Sequence, residues 1–170
     1  LALTFSGDLE QPDSVEISAT FSGSDFRFRS APITTARADA SLHRNRMNLH
    51  SLLVTDEGGK LEAFGDWENG QAQRVELQST LSHKSLQAAE PLLPAVAQSL
   101  LSLSSRPTLS MAIAPEPESS GTPILTGRVA FPEARLPSTR TGDLSFSFAI
   151  APEKTAIRHG LFRTKDETFE

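Results

Sequence analysis

The chain has 170 residues, 22% of them charged and 38% hydrophobic, which suits one ordinary domain with a sizeable core and excludes a disordered tail. A net charge of -5 and a pI near 5.4, with Lys and Arg scattered apart from "RFR" and "HRNR", argue against a nucleic-acid surface, which needs a clustered excess of Lys and Arg to neutralise a run of phosphates. The absence of cysteine excludes disulfides, thiolate metal sites and cysteine nucleophiles, and suits both the cytoplasm and an oxidising periplasm.

Period-two alternation dominates the first half. "LALTF" sets Leu1, Leu3 and Phe5 on one face, and "VEISATF" does the same for Val15, Ile17, Ala19 and Phe21. "DFRFR" opposes Phe26 and Phe28 to Arg27 and Arg29, and residues 36–42 alternate Ala36, Ala38, Ala40 and Leu42 against Arg37, Asp39 and Ser41. Residues 46–54 carry Met47 and Leu49, but Leu52, Leu53 and Val54 interrupt the alternation. Residues 60–67 place Leu61, Ala63, Gly65 and Trp67 together, and "RVELQS" places Val75 and Leu77 together. The connections "QPDS", "HRN", "DEGG" and "ENGQ" are short, which predicts an antiparallel meander. Gly58 and Gly59 are expected to supply positive φ in a tight turn. Gly65, inside a strand, marks a bend, a bulge or a close approach.

Residues 82–103 lose the alternation, and Leu93, Val96, Leu100 and Leu103 fall at helical spacing. Pro91 and Pro94 predict a break, with a short helix near 83–90 and a second starting at Pro94. Strands resume with Leu109, Met111 and Ile113, then with Leu125, Gly127, Val129 and Phe131, separated by a polar, Pro-rich loop expected to be mobile. "DLSFSFAIAP" sets Leu144, Phe146, Phe148 and Ile150 against Ser145, Ser147 and Ala149, and a last pair is expected at 154–163 and 167–170. "RHGLFRTKDETFE" at 158–170 can be laid on "LHSLLVTDEGGKLE" at 49–62 with one gap, an echo that suggests a repeat. The chain opens on Leu1 without a leader-like or spanning segment, so it is expected to be an excised piece of a longer protein.

Catalytic and metal signals are sparse. The histidines His43, His50, His83 and His159 form no HxH or HExxH spacing, no GxSxG elbow occurs, and no glycine-rich loop runs from strand into helix. The chain is therefore expected not to be an enzyme and to need no metal or cofactor; a hydrolase would require a Ser–His pair to converge in the fold. Usage of 10 Phe, 1 Trp and no Tyr suits the filling of a core, or a dry surface rather than a wet recognition surface. About ten strands each offer apolar side chains to one face, while the helical segment covers little of it, so the sheet must fold onto a second sheet, close on itself, or hold an apolar guest.

The segments "SDFRFRSAPITTARADASLHRNRMNLHSLLVTDEGGKLEAFGDW", "LSHKSLQAAEPLLPAVAQSL" and "ILTGRVAF" resemble the AsmA-like superfamily that includes TamB. The likeness runs over roughly the central two thirds of the chain: an alternating strand at 36–42, a strand at 46–54 before Gly58 and Gly59, a strand at 60–65 ending at Gly65, a helix ending near Pro94, and a strand with Gly127. Pro91 and the loop at 115–123 depart from the family pattern. The resemblance implies a mostly β fold, a curved and mainly antiparallel sheet with a β-taco-like open groove and one short broken helix. It implies one module over 1–170, with a second repeat starting near 110–127 and truncated.

By the same resemblance, the groove would conduct phospholipid acyl chains between the inner and outer membranes. The setting would be periplasmic, the parent chain anchored in the inner membrane, and the implied partners outer-membrane assembly proteins. Parity within each strand nominates Phe5, Ile17, Phe21, Leu49, Leu61, Leu77, Met111, Leu125, Val129, Phe146 and Phe148 as lining residues, a choice that one register slip would invert. The alternative is a closed β-sandwich serving as an adhesin-like or scaffold module without lipid.

Overall fold

In the computed structural model, the described residues are 1–7, 10, 14–88, 106–115, 123–135, 141–151, 154–164 and 168–169. They form eleven strands and one helix: β1 Ala2–Ser6, β2 Glu16–Phe28, β3 Ala31–His43, β4 Arg46–Thr55, β5 Lys60–Glu68, β6 Gln71–Ser79, α1 His83–Ala88, β7 Thr108–Pro115, β8 Pro123–Arg135, β9 Thr141–Ala151, β10 Lys154–Arg163 and β11 Thr168–Phe169. All the strands join one antiparallel sheet in sequential order, a pure meander. The sheet is curved and open, with β1 and β11 at its edges. A closed two-layer sandwich is not what these residues build.

Local chemistry accounts for the turns. Asn69 (φ 51°) and Gly70 (φ 77°) join β5 to β6 with two consecutive left-handed residues, the conformation an Asn-Gly hairpin favours. In the β4–β5 turn only Gly58 is left-handed, at φ 103°. Gly59 is required for a different reason than the sequence suggests: a Cβ there would collide with the Thr80 carbonyl and lie 2.9 Å from the Leu81 Cα. "VEISATF" and "DFRFR" read as separate runs but belong to one strand, β2. The left-handed Asp25 (φ 52°) interrupts its alternation, which lets Phe26 turn its ring edge-on to Phe21 at 6.5 Å between centroids.

Bulges explain the remaining irregularities. His50 and Ser51 stand opposite a single residue of β5, so Leu49 and Leu52 both reach the same face despite their odd spacing, and Leu53 falls on the other. This resolves the interrupted "LLV". In β10, His159 and Gly160 form a bulge against β9. The two echoing stretches thus share a bulge at their His-containing step. They differ in phase, since Leu52 pairs with Ala38 on the apolar side whereas Leu161 pairs with Ser145 on the polar one.

The core is gathered at one end of the sheet. Leu81 and Leu86, from α1 and the residues before it, are buried against Val54 and Leu61. Val129, Phe131 and Ala134 are buried against Leu109, Leu144 and Phe146. The helix is short, and the second helix expected from Pro94 and the loop at 116–122 lie outside the described residues.

Candidate functional site: the apolar face of the sheet

Cross-strand pairing turns the alternation of single strands into continuous rows. The central row runs Phe21, Ala38, Leu52, Ala63, Leu77, Met111, Gly127, Phe148 and Ile157 from β2 to β10. Beside it, Leu3, Ala19, Ala40, Leu49, Gly65, Val75, Ile113, Leu125 and Ile150 cross from β1 to β9. A shorter row, Phe5, Ile17, Leu42, Met47 and Trp67, lies beyond that. On the other flank stand Ala36, Val54, Leu61, Ser79, Leu109, Val129 and Phe146. None of the residues in these rows carries a charge.

All eleven residues nominated from parity lie on this face, but the structure divides them. Leu61, Val129 and Phe146 belong to the flank packed under α1 or into the Phe131 cluster, where the protein itself takes up their apolar surface. Phe5, Ile17, Phe21, Leu49, Leu77, Met111, Leu125 and Phe148 lie in the three rows farther from the helix. There the large side chains are half-buried or exposed: Phe5 is 64% exposed, Phe21 41% and, in the same central row, Ile157 62%. Large contiguous exposed apolar patches are the kind of surface on which proteins bind partners or ligands.

The glycines within the face are there for close approach. A Cβ on Gly65 would sit 2.6 Å from the Arg74 carbonyl oxygen and 2.9 Å from Val75 Cγ2. A Cβ on Gly127 would meet the Phe148 ring, and the Ser110 carbonyl oxygen at 2.7 Å. Phe148 is the cross-strand partner of Gly127, so its ring covers the bare backbone and forms part of the apolar floor. Gly127→Ala should accordingly destabilise by about 1–3 kcal/mol through overpacking. In a double-mutant cycle with Phe148→Ala, urea unfolding should show that removing the ring recovers part of this loss; strict additivity would contradict the contact.

The opposite face is polar. Arg46 pairs with Asp66 at 3.3 Å, Lys60 with Glu62 at 2.8 Å, and Arg74 with Glu76, while the Arg74 guanidinium also lies over Phe64 at 5.8 Å. Exposed pairs of this kind add little stability and serve mainly to keep the face wet.

On that polar face the fold makes one contact that sequence spacing did not show. Ser41 Oγ and His50 Nε2 stand 2.9 Å apart, the Ser–His convergence a hydrolase would need. Ser41 is buried, and a buried hydroxyl requires a partner, which the bulged His50 supplies. Among the described residues no carboxylate bonds the His50 ring, so the orienting third group of a nucleophilic triad is not assembled. His83 and His159 are far along the chain in α1 and β10, and no group of three or more His, Asp or Glu able to hold a metal ion occurs among the described residues. No helix among the described residues is long and apolar enough to cross a membrane.

Comparison of the chain with protein-family models, with curated proteins and with solved structures finds no match.

Proposed function

We propose that this module holds phospholipid acyl chains along the apolar face of its curved sheet, forming one segment of a lipid-conducting groove. The observation that carries this reading is the set of uncharged rows crossing the sheet from β1 to β10, with only the flank nearest α1 taken up by the protein's own packing. Hydrocarbon needs no polar recognition. Burying about six methylenes contributes roughly 5 kcal/mol, so Phe, Leu, Met and Ala side chains suffice, and headgroups stay at the solvated rim. The alanines of β3 leave room between taller side chains for a chain to lie. The proposed setting is the periplasm of a bacterial envelope, with the parent protein anchored in the inner membrane and outer-membrane assembly proteins as partners. It rests on the AsmA-like pattern of strands, glycines and helix.

Native mass spectrometry of the gently purified protein tests the reading, with co-purified phospholipid as the expected result. Phe21→Glu, at an exposed position of the central row, should lower lipid occupancy about tenfold, because a carboxylate beside hydrocarbon must be desolvated. Its unfolding midpoint should change little. A lipid-free protein that is also silent to hydrophobic dyes would return the face to a purely structural role.

A further inference from the structure

A second candidate site lies on the polar face, where a cavity of about 450 Å³ opens over β7–β10. Pairing sets Ser110, Arg128, Ser147 and Arg158 side by side in one cross-strand row, with Ala112, Thr126 and Ala149 in the next. Short side chains make the floor, and the two arginines rise on either side of Ser147. The bulge after Arg158 brings His159, held at a left-handed φ of 52°, to the same cavity. Bulges of this kind re-aim side chains, and non-glycine residues in this conformation concentrate at binding sites.

Arg46, Lys60 and Arg74 on this face each have a carboxylate within ion-pair distance, whereas Arg128 and Arg158, like Arg37, make no ion pair among the described residues; what sets Arg128 and Arg158 apart is that they share one cross-strand row at a cavity. Their row neighbours are serines, which donate hydrogen bonds without cancelling positive charge. Two forked guanidinium groups flanking hydroxyls match a doubly charged oxyanion in both charge and geometry.

We propose that this basin binds the phosphate group of a soluble phosphate monoester, with Arg128 and Arg158 as the charged donors, Ser147 and Ser110 as hydroxyl donors, and the alanine floor against the organic part. The cavity has the size of a small-molecule site. Met111, Gly127 and Phe148 of the central row also line the cavity, but the arginine and serine donors have the opposite parity, so the site does not depend on lipid held at the apolar face.

Titration of the protein with inorganic phosphate and with glycerol 3-phosphate, followed by amide chemical shifts, tests the site. The expected result is a saturable shift at Ser110, Arg128, Ser147 and Arg158. Arg128→Gln and Arg158→Gln should each weaken binding about tenfold, the effect of losing one charge-assisted contact. Arg128→Lys, which keeps the charge and loses the fork, should fall between. Arg74→Gln, on the same face but already paired with Glu76, should leave the affinity unchanged. All three positions are exposed, and matching unfolding midpoints confirm that folding is intact. No saturable shift, or an equal loss in Arg74→Gln, would overturn the site. Retention on phosphatidylglycerol vesicles that needs Arg128 and Arg158, with no response to either soluble phosphate, would overturn the soluble ligand in favour of a lipid headgroup.

Discussion

Replacing Phe131 by Ala should lower the unfolding free energy by about 3–4 kcal/mol, measured by urea denaturation. Phe131 is 1% exposed and stacks at a tilt against Phe146, with ring centroids 6.2 Å apart, among Val129, Ala134, Leu109 and Leu144. Truncation removes apolar surface and leaves a cavity, because strands held by cross-strand hydrogen bonds on both sides cannot collapse into it. Set against a typical domain stability of 5–15 kcal/mol, the loss is a large share. Phe148→Ala, at a half-buried position of the central row, should lose only about 1–1.5 kcal/mol, since solvent or a guest refills the space. Equal losses at the two positions would erase the distinction between the packed flank and the open rows.

Asp56→Ala should destabilise by about 3 kcal/mol and free α1 from the sheet. The buried Asp56 carboxylate accepts hydrogen bonds from the Gly59 amide at 2.9 Å, the Ser82 amide at 2.8 Å and the Ser85 hydroxyl at 2.8 Å, joining the β4–β5 turn to the start of the helix. Two charge-assisted backbone bonds at roughly 1.5 kcal/mol each account for the estimate. Burial pushes this carboxyl up, but the hydrogen bonds from Ser82, Ser85 and Gly59 outweigh it and hold the group below its ordinary value of 3.8. A carboxyl whose folded value is lowered contributes stability that is fully present above the unfolded value and is lost as pH falls through the folded one. Stability should therefore decline as pH drops from about 4, and Asp56→Asn should remove that contribution while keeping one acceptor oxygen. Trypsin cleavage after the exposed Lys84 should accelerate in both variants, because α1 must open for the bond to be cut. Unchanged cleavage would show that the helix is held by Leu81 and Leu86 alone.

Much of the sheet was legible because alternation is a local property. Whether a residue lies on one side of a strand or the other depends on its neighbours at i and i+2, so Phe146 and Phe148 could be assigned to a face without knowledge of any partner. Short polar turns then implied sequential antiparallel pairing, and the meander followed. The join at Asp25 was hidden because a non-glycine residue in the left-handed region leaves no compositional signal. The role of Gly59 was hidden too, since the carbonyl it must avoid belongs to Thr80, more than twenty residues away.

By itself the chain determined that one side of every strand would be apolar and that side charges would fall on the other, because the pleat has a period of two whatever the strand pairs with. Only the tertiary structure decided where bulges shift that phase, and therefore that Leu49 and Leu52 share a face, that Ser41 meets His50, and that Arg128 and Arg158 flank Ser147. It also decided which apolar residues are packed and which are left open, since that depends on where a short helix, pinned by Asp56, comes to rest. The physical reason is common to both: parity is set along the chain, whereas register and coverage are set by contacts between residues far apart in it.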